Sequence, residues 1–268
     1  MPSSEQSAYL PVSGEHLYTV LHGAEDPLAR VLLIGPFAAE RHYSYIPWVA
    51  WSRYLAERRI ECLRYDYRGV GESTGLFKEM SFDHWIEDVA ILTAWLKSRT
   101  PAIPVILHGL DMGALLAAKA FENGGADGLL MWAPPATANL ALRATLLRSI
   151  AQENLFKPRT ERKPLADYLK PLENGEFLEV DGYQWSAKLW SDSFRFELPK
   201  SLAGEDGSTD RRPVRTVKLD GKSAPLVKGT AVGYEAIHKD FGPLFADNFE
   251  WLAKQVELQS TQGPRIGC

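Results

Sequence analysis

The sequence predicts an α/β fold: a mainly parallel sheet flanked on both faces by helices. Three observations carry that prediction. Short apolar runs, such as 31–34 and 129–132, stop at Gly35-Pro36 and near Pro134-Pro135, as strands buried on both faces do. Amphipathic stretches at helical spacing lie between such runs, and a repeated strand–helix order builds a parallel sheet. A tight turn framed by glycines, Gly109-Leu-Asp-Met-Gly113, joins one apolar run to a helical one.

The elements follow in order. Residues 17–21 read as an early strand and 31–34 as the next. A loop is expected over 37–47, a helix over 48–58 and a strand over 60–65. Ser81 is placed to cap a helix reaching about residue 98, with Phe82, Trp85, Val89, Leu92 and Leu96 on one face. Pro101 and Pro104 break the chain before the apolar run 104–107, the glycine-framed turn and a helix over 114–121; a strand follows at 129–132. From 137 to 200 the character changes. Stretches 138–152, 164–172 and 186–194 are helix-like, and no clear buried strand shows. Residues 1–136 and 201–268 are therefore expected to form the sheet-containing core, with 137–200 a helical cap insertion over the strand ends. Residues 201–212 read as a loop, 214–219 as a strand and 231–237 as a further candidate. A closing helix over 241–256 and a frayed tail over 259–268 complete the chain.

Composition narrows the function. The 268 residues, 45% of them hydrophobic, suit one large domain or a domain with an insertion. A net charge of −4, a pI near 5.9 and no basic cluster argue against a nucleic-acid partner. The two cysteines, Cys62 and Cys268, make a disulfide framework unexpected and fit a reducing compartment. The first residues lack the basic and apolar regions of a signal peptide, and no apolar run approaches a membrane span. A cytoplasmic protein is expected. No metal-ligand cluster and no phosphate-cradling loop is visible, so neither metal nor cofactor is expected. An exposed helix of the insertion offers a surface for a homodimer.

The glycine-framed turn is the most informative stretch. Strand, tight turn and helix make the setting of a nucleophile elbow, whose usual pattern is G-x-S-x-G. Here Asp111 holds the central position. Gly109 and Gly113 let strand and helix backbones approach, and the helix N-terminus favours an ionised carboxylate. Aspartate is also a good N-cap, so residue types alone leave two roles for Asp111.

Further motifs give a resemblance. The run into Gly35-Pro-Phe37, the turn Asp66-Tyr-Arg-Gly-Val-Gly-Glu-Ser73, the elbow, and His238 before Asp240-Phe-Gly-Pro-Leu-Phe stand in the order of an α/β-hydrolase. The chain resembles that superfamily over most of its length. The resemblance implies the α/β-hydrolase fold, with a mainly parallel central sheet flanked by helices and a helical cap insertion. Gly35-Pro-Phe, Gly109-Leu-x-x-Gly-Ala-Leu-Leu-Ala and Gly175-Glu-x-x-Glu-Val-x-Gly-Tyr183 are also similar to hydrolase-like proteins associated with the exosortase A system. Those proteins are linked to bacterial export and exopolysaccharide clusters, and their nucleophile position is itself often not serine.

The superfamily resemblance implies Asp111 as nucleophile, His238 as base, and the amides of Phe37 and Met112 as oxyanion hole. A late acid should orient the histidine. Asp220 stands in the expected chain order, although the Asp220-Gly221 pair also reads as a turn. Glu197 competes if residues 193–198 supply an extra strand. A carboxylate that attacks a substrate carbon leaves an ester, which the histidine then helps water to hydrolyse. Haloalkane dehalogenases and epoxide hydrolases work in this way. They commonly carry Trp after the nucleophile and an H-G-x-P loop, where this chain has Met112 and Gly35-Pro36-Phe37. Tyr168 and Tyr183 are candidate cap tyrosines for an epoxide.

Of the remaining residues, His108 reads as structural and Ser73 as a turn residue. Glu40 and His42 either face substrate or lie exposed in a loop. Two functions stay open: a hydrolase of a small-molecule ester, thioester or related bond, or the same scaffold binding a ligand or partner without turnover.

Overall fold

The structure, a computed structural model, describes residues 4–202, 212–219 and 240–261, the last four of these as backbone only. Among the described residues, a seven-stranded sheet runs in the order β1-β2-β4-β3-β5-β6-β9. β1 (Glu5–Val12) and β2 (Glu15–His22) form an antiparallel hairpin at one edge, and β2 pairs antiparallel with β4 (Ile60–Tyr65). β3 (Ala29–Ile34), β5 (Val105–Leu110), β6 (Gly128–Trp132) and β9 (Val214–Val217) continue from β4 in parallel. The predicted parallel sheet is present because β3, β5 and β6 are buried along their whole length.

α1 (Arg41–Ala56) and α7 (Gly242–Thr261) cover one face, where Trp51 and Leu55 meet Phe245 and Leu252 in a single apolar cluster. α2 (Phe82–Arg99) and α3 (Met112–Glu122) cover the other, in a cluster that includes Trp85, Leu92, Leu115 and Phe121. Ser81 caps α2 as expected, with its amide donating to Nδ1 of His84 at 3.2 Å.

Three expectations need correction. The loop expected over 37–47 is mostly helix: a short 3-10 turn at Ala38–Glu40 runs into α1, which tolerates Pro47 inside it. The early strand has an unpredicted partner, β1, joined through Ser13-Gly14 with φ of 43° and 86°. Positive φ at both central residues matches the right-handed twist of the strands they join. The segment between β6 and β9 also contains strands. α4 (Ala138–Glu153), α5 (Leu165–Glu173) and α6 (Ala187–Ser193) are joined by a hairpin of β7 (Phe177–Val180) and β8 (Tyr183–Ser186). Its turn is Asp181-Gly182, again with positive φ at both residues. Asp-Gly between alternating residues is a strong hairpin signal, and Val180 and Trp185 bury one face of it.

Residues 193–198 add no strand to the main sheet. Ser193 ends α6, Glu197 makes an isolated antiparallel bridge to Thr137, and the exposed Glu197 is therefore no substitute for a sheet-borne acid. The candidate strand at 231–237 lies outside the described residues. Among the described residues no helix is long and apolar enough to cross a membrane, and no cluster of three metal-ligating side chains occurs.

Candidate active site

The elbow is built by close backbone approach. A Cβ on Gly113 would stand 2.2 Å from the carbonyl oxygens of Ile34 and Gly35, and one on Gly109 would stand 2.3 Å from Cα of Ala114. Glycine at both positions lets α3 start directly against the ends of β3 and β5. Asp111, between them, is bent to φ 54° and ψ −124°, with its amide donating to the Trp132 carbonyl at 2.9 Å. This backbone region is costly for a residue with a Cβ and persists only where surrounding structure imposes it.

The Asp111 side chain makes no capping hydrogen bond to α3. A capping aspartate normally has extended backbone and accepts from the second or third amide of the helix; Asp111 does neither. Asp111 is half-buried as a residue, and its carboxyl is crowded by protein. Burial, and then the charge of Glu40, push its pKa up from 3.8 to about 7, against the opposing pull of the Met112 amide. Among the described residues, no lysine, arginine or histidine forms an ion pair with Asp111.

Phe37 sits in the loop after β3, next to the carbonyls that Gly113 touches. Its buried ring packs on Phe77 and Trp85 at centroid distances of 5.5 and 5.1 Å, and the next residue, Ala38, takes φ 42°. The Tyr67 hydroxyl donates to the Gly35 carbonyl at 2.6 Å, fixing this loop from the turn after β4. Burial raises the Tyr67 pKa, with the charges of Asp88 and Asp111 adding to it, so the phenol stays a donor.

Glu40 ends the 3-10 turn after Phe37 and is buried rather than exposed. Its Oε1 accepts from the Thr145 hydroxyl at 2.9 Å and from Nη2 of Arg148 at 2.7 Å. Arg148 also donates to the Tyr43 hydroxyl at 3.0 Å and to Asp181 at 2.9 Å. One guanidinium on α4 thus ties the loop after β3 to the turn of the β7–β8 hairpin. Sequence reading missed Arg148 and Asp181. The Asp181-Gly182 pair could have signalled the hairpin, whereas nothing local marks Arg148 among the other α4 polar residues.

Other candidates have plain positions. Ser73 donates to the Asp66 carbonyl at 2.6 Å and accepts from the Tyr18 amide at 2.9 Å, so it locks a turn. His108 is buried on the α1 face, with Nδ1 3.1 Å from the Leu130 carbonyl and its ring against Trp48 and Trp132. Burial lowers its pKa to about 3, which keeps it neutral. His42 is exposed on α1. Trp185 is buried and stacked on Trp190, and Tyr183 packs on Phe77 at 4.9 Å, so these rings join the β7–β8 hairpin to α6 and to Phe77. Tyr168 is half-buried on α5. His238 and Asp220 lie outside the described residues.

Known proteins agree with this architecture. The family model for serine aminopeptidase, S33, matches residues 42–170, a little under half of the chain but including the elbow. Est1E from Butyrivibrio proteoclasticus, solved with ferulic acid, is 13% identical over 93% of this chain and 99% of its own, with a TM-score of 0.59. The α/β-hydrolase GrgF from Penicillium sp. sh18 is 15% identical over 96% of this chain and 98% of its own, with a TM-score of 0.58. The chain spans 64% of the length of a lidless α/β serine hydrolase from Xanthomonas campestris, which covers 51% of this chain at 22% identity and a TM-score of 0.44. No curated protein sequence matches the chain. The likeness to exosortase A-associated proteins stays a likeness of motifs. With this sheet, this elbow and these likenesses, the chain has the α/β-hydrolase fold, and residues 42–170 are similar to the serine aminopeptidase, S33 family.

Proposed function

We propose that this protein hydrolyses a small-molecule ester, thioester or related bond at the elbow, with Asp111 as the reacting carboxylate. The observation that supports this is the backbone at Asp111: φ 54° on a residue with a side chain, and no capping bond in return. Such a conformation costs roughly 1–3 kcal/mol and clusters at sites that work for it.

Two routes are open to a carboxylate placed there. On an acyl substrate, direct attack would form an anhydride, which is more reactive than the ester it replaces. Asp111 then serves better by taking a proton from water as the water adds to the carbonyl, and the leaving alcohol or thiol departs with a proton. A carboxyl with a pKa of about 7 is matched to this task at neutral pH. The amides of Phe37 and Met112 would receive the oxyanion, protonated His238 would give its proton to the leaving group and regain one from Asp111, and Asp220 would orient it. On a substrate whose reacting carbon is saturated, as in a haloalkane or epoxide, ionised Asp111 attacks that carbon. The carbon–halogen or carbon–oxygen bond breaks, and water activated by His238 hydrolyses the resulting ester. The 137–200 insertion would cover the site in either case, with Arg148 holding it to the Glu40 loop.

A second reading, a ligand-binding scaffold without turnover, is favoured by the same raised pKa, since a half-neutral carboxyl is a weakened nucleophile.

Intact-protein mass spectrometry of His238→Gln separates these readings. The panel holds activated esters, thioesters, haloalkanes and epoxides, together with feruloyl esters because Est1E holds ferulic acid. A stable mass increase on Asp111 identifies the saturated-carbon route. Turnover by the wild type without an adduct, lost in Asp111→Asn and placing heavy oxygen from water only in the product, identifies the water-activating route. No adduct and no turnover across the panel would leave the binding scaffold.

A further inference from the structure

A cavity of about 340 Å³ lies beside the start of α1 and the β2–β4 pair, with no wall residue from the elbow. Tyr18, Tyr45 and Tyr65 line it together with Arg41 and Arg64. It adjoins a narrower space under Gly35-Pro36 and a groove reaching Arg53 and Tyr54, and Tyr45 and Arg64 line all three.

Two observations single it out. The first is Arg64. Its neighbours are compensated: Arg41 lies 2.9 Å from Asp66, and Arg53 lies 2.6 Å from Glu5. Arg64 is half-buried, donates through Nε to Nε2 of His22 at 2.9 Å and stands over the Tyr45 ring at 5.6 Å. His22 cannot balance it: burial and the Arg64 charge lower its pKa to about 4, so the imidazole is neutral. No carboxylate forms an ion pair with Arg64 among the described residues. The Glu5 carboxylate feels the Arg64 charge but is committed to Arg53, so among the described residues Arg64 has no carboxylate in direct contact; a half-buried guanidinium so placed gains if an anion arrives.

The second is Tyr65. It lines the same cavity, and its buried hydroxyl has no partner of good hydrogen-bond geometry: it interacts with the Tyr67 hydroxyl, which itself donates to the Gly35 carbonyl. The acids nearby do not fill these roles. Asp66 is held by Arg41 and accepts from the Glu72 amide at 3.0 Å, and the Glu72 side chain is exposed at the rim.

We propose that this cavity binds a small oxyanion, a carboxylate or a phosphate. Arg64 supplies the counter-charge, the Tyr65 hydroxyl supplies a second donor, and the tyrosine rings take up the body of the ligand. Nothing in this assignment depends on the reaction at Asp111.

The test is an NMR titration of the isotope-labelled full chain with benzoate and, separately, with inorganic phosphate. Saturable shifts of the Tyr18, Tyr45 and Arg64 amides are expected with at least one probe, weakened about tenfold or more in Arg64→Met. Saturation by benzoate alone assigns an aromatic carboxylate, and saturation by phosphate alone assigns a phosphate-bearing ligand; either supports the site. Arg64→Met also loses the bond to His22, so Tyr65→Phe, which removes only the hydroxyl, provides a second variant and should weaken binding several-fold. Absence of saturable shifts with both probes would overturn the proposal, as would unchanged affinity in both variants.

Discussion

Asp88 and Asp111 are two acids crowded by the same fold, which treats them in opposite ways. Asp88 lies on α2 with no exposed surface, and Arg68 from the turn after β4 places Nε 2.6 Å from its carboxylate. Burial raises its pKa to about 6, and the Arg68 charge and hydrogen bonds hold it from rising further. Asp111 receives strain in place of a partner, with Glu40 adding a like charge to the cost of burial, and its pKa stands at about 7. Glu40 itself has Arg148. A carboxylate that serves architecture is supplied with a guanidinium, whereas the one at the elbow is left incomplete by its described surroundings. That incompleteness, more than the motif, is what supports the proposal that Asp111 is the reacting carboxylate.

The comparison can be broken or sharpened by substitution. The largest effect is expected at the elbow backbone. Gly113→Ala puts a methyl group 2.2 Å from two carbonyl oxygens that cannot yield, and urea unfolding should show a loss of about 4 kcal/mol or no folded protein. Next is the structural pair. Arg68→Met leaves Asp88 buried without a cation and should cost about 3 kcal/mol above pH 6, less below it where Asp88 is neutral in the fold.

Asp111→Asn should act with the opposite sign. The unfolded chain releases this proton near pH 3.8 and the folded chain near 7, so between those values the folded state binds more protons and stability falls as pH rises. Removing the charge should therefore stabilise the protein by about 1–3 kcal/mol at pH 8 and change little near pH 4. Thermal unfolding at the two pH values checks this, and a destabilised variant at pH 8 would show that Asp111 has a counter-charge after all. The smallest effect is expected at Ser73→Ala: a loss of about 1 kcal/mol from its two turn hydrogen bonds, with hydrolysis rates unchanged.

Much of this was legible in the chain. β3, β4 and β6 stand where their apolar runs end at Gly35-Pro36, at the Asp66 turn and before Pro134-Pro135, and α2 begins after Ser81. The α1 start was hidden because Arg41 to Tyr45 are polar or exposed, so no apolar face announces the first turns. The β7–β8 hairpin was hidden because four-residue strands are shorter than the window in which alternation stands out, although Asp181-Gly182 marks the turn. At the site, Asp111, Phe37 and Met112 were named from the sequence. The roles of Glu40, Tyr67 and Arg148 were not, since each depends on a partner distant in the chain.

The sequence by itself determined the sheet, the elbow and its two glycines, because burial on both faces and close backbone approach are demands that neighbouring residues must meet locally. Only the tertiary structure decided which acids are compensated. Arg148 reaches Glu40 across 108 positions and Arg68 reaches Asp88 across 20, and no local spacing encodes either pairing. The protonation of Asp111 follows from those assignments, since a carboxyl's charge is set by what the fold packs around it in space and not by its neighbours in the chain.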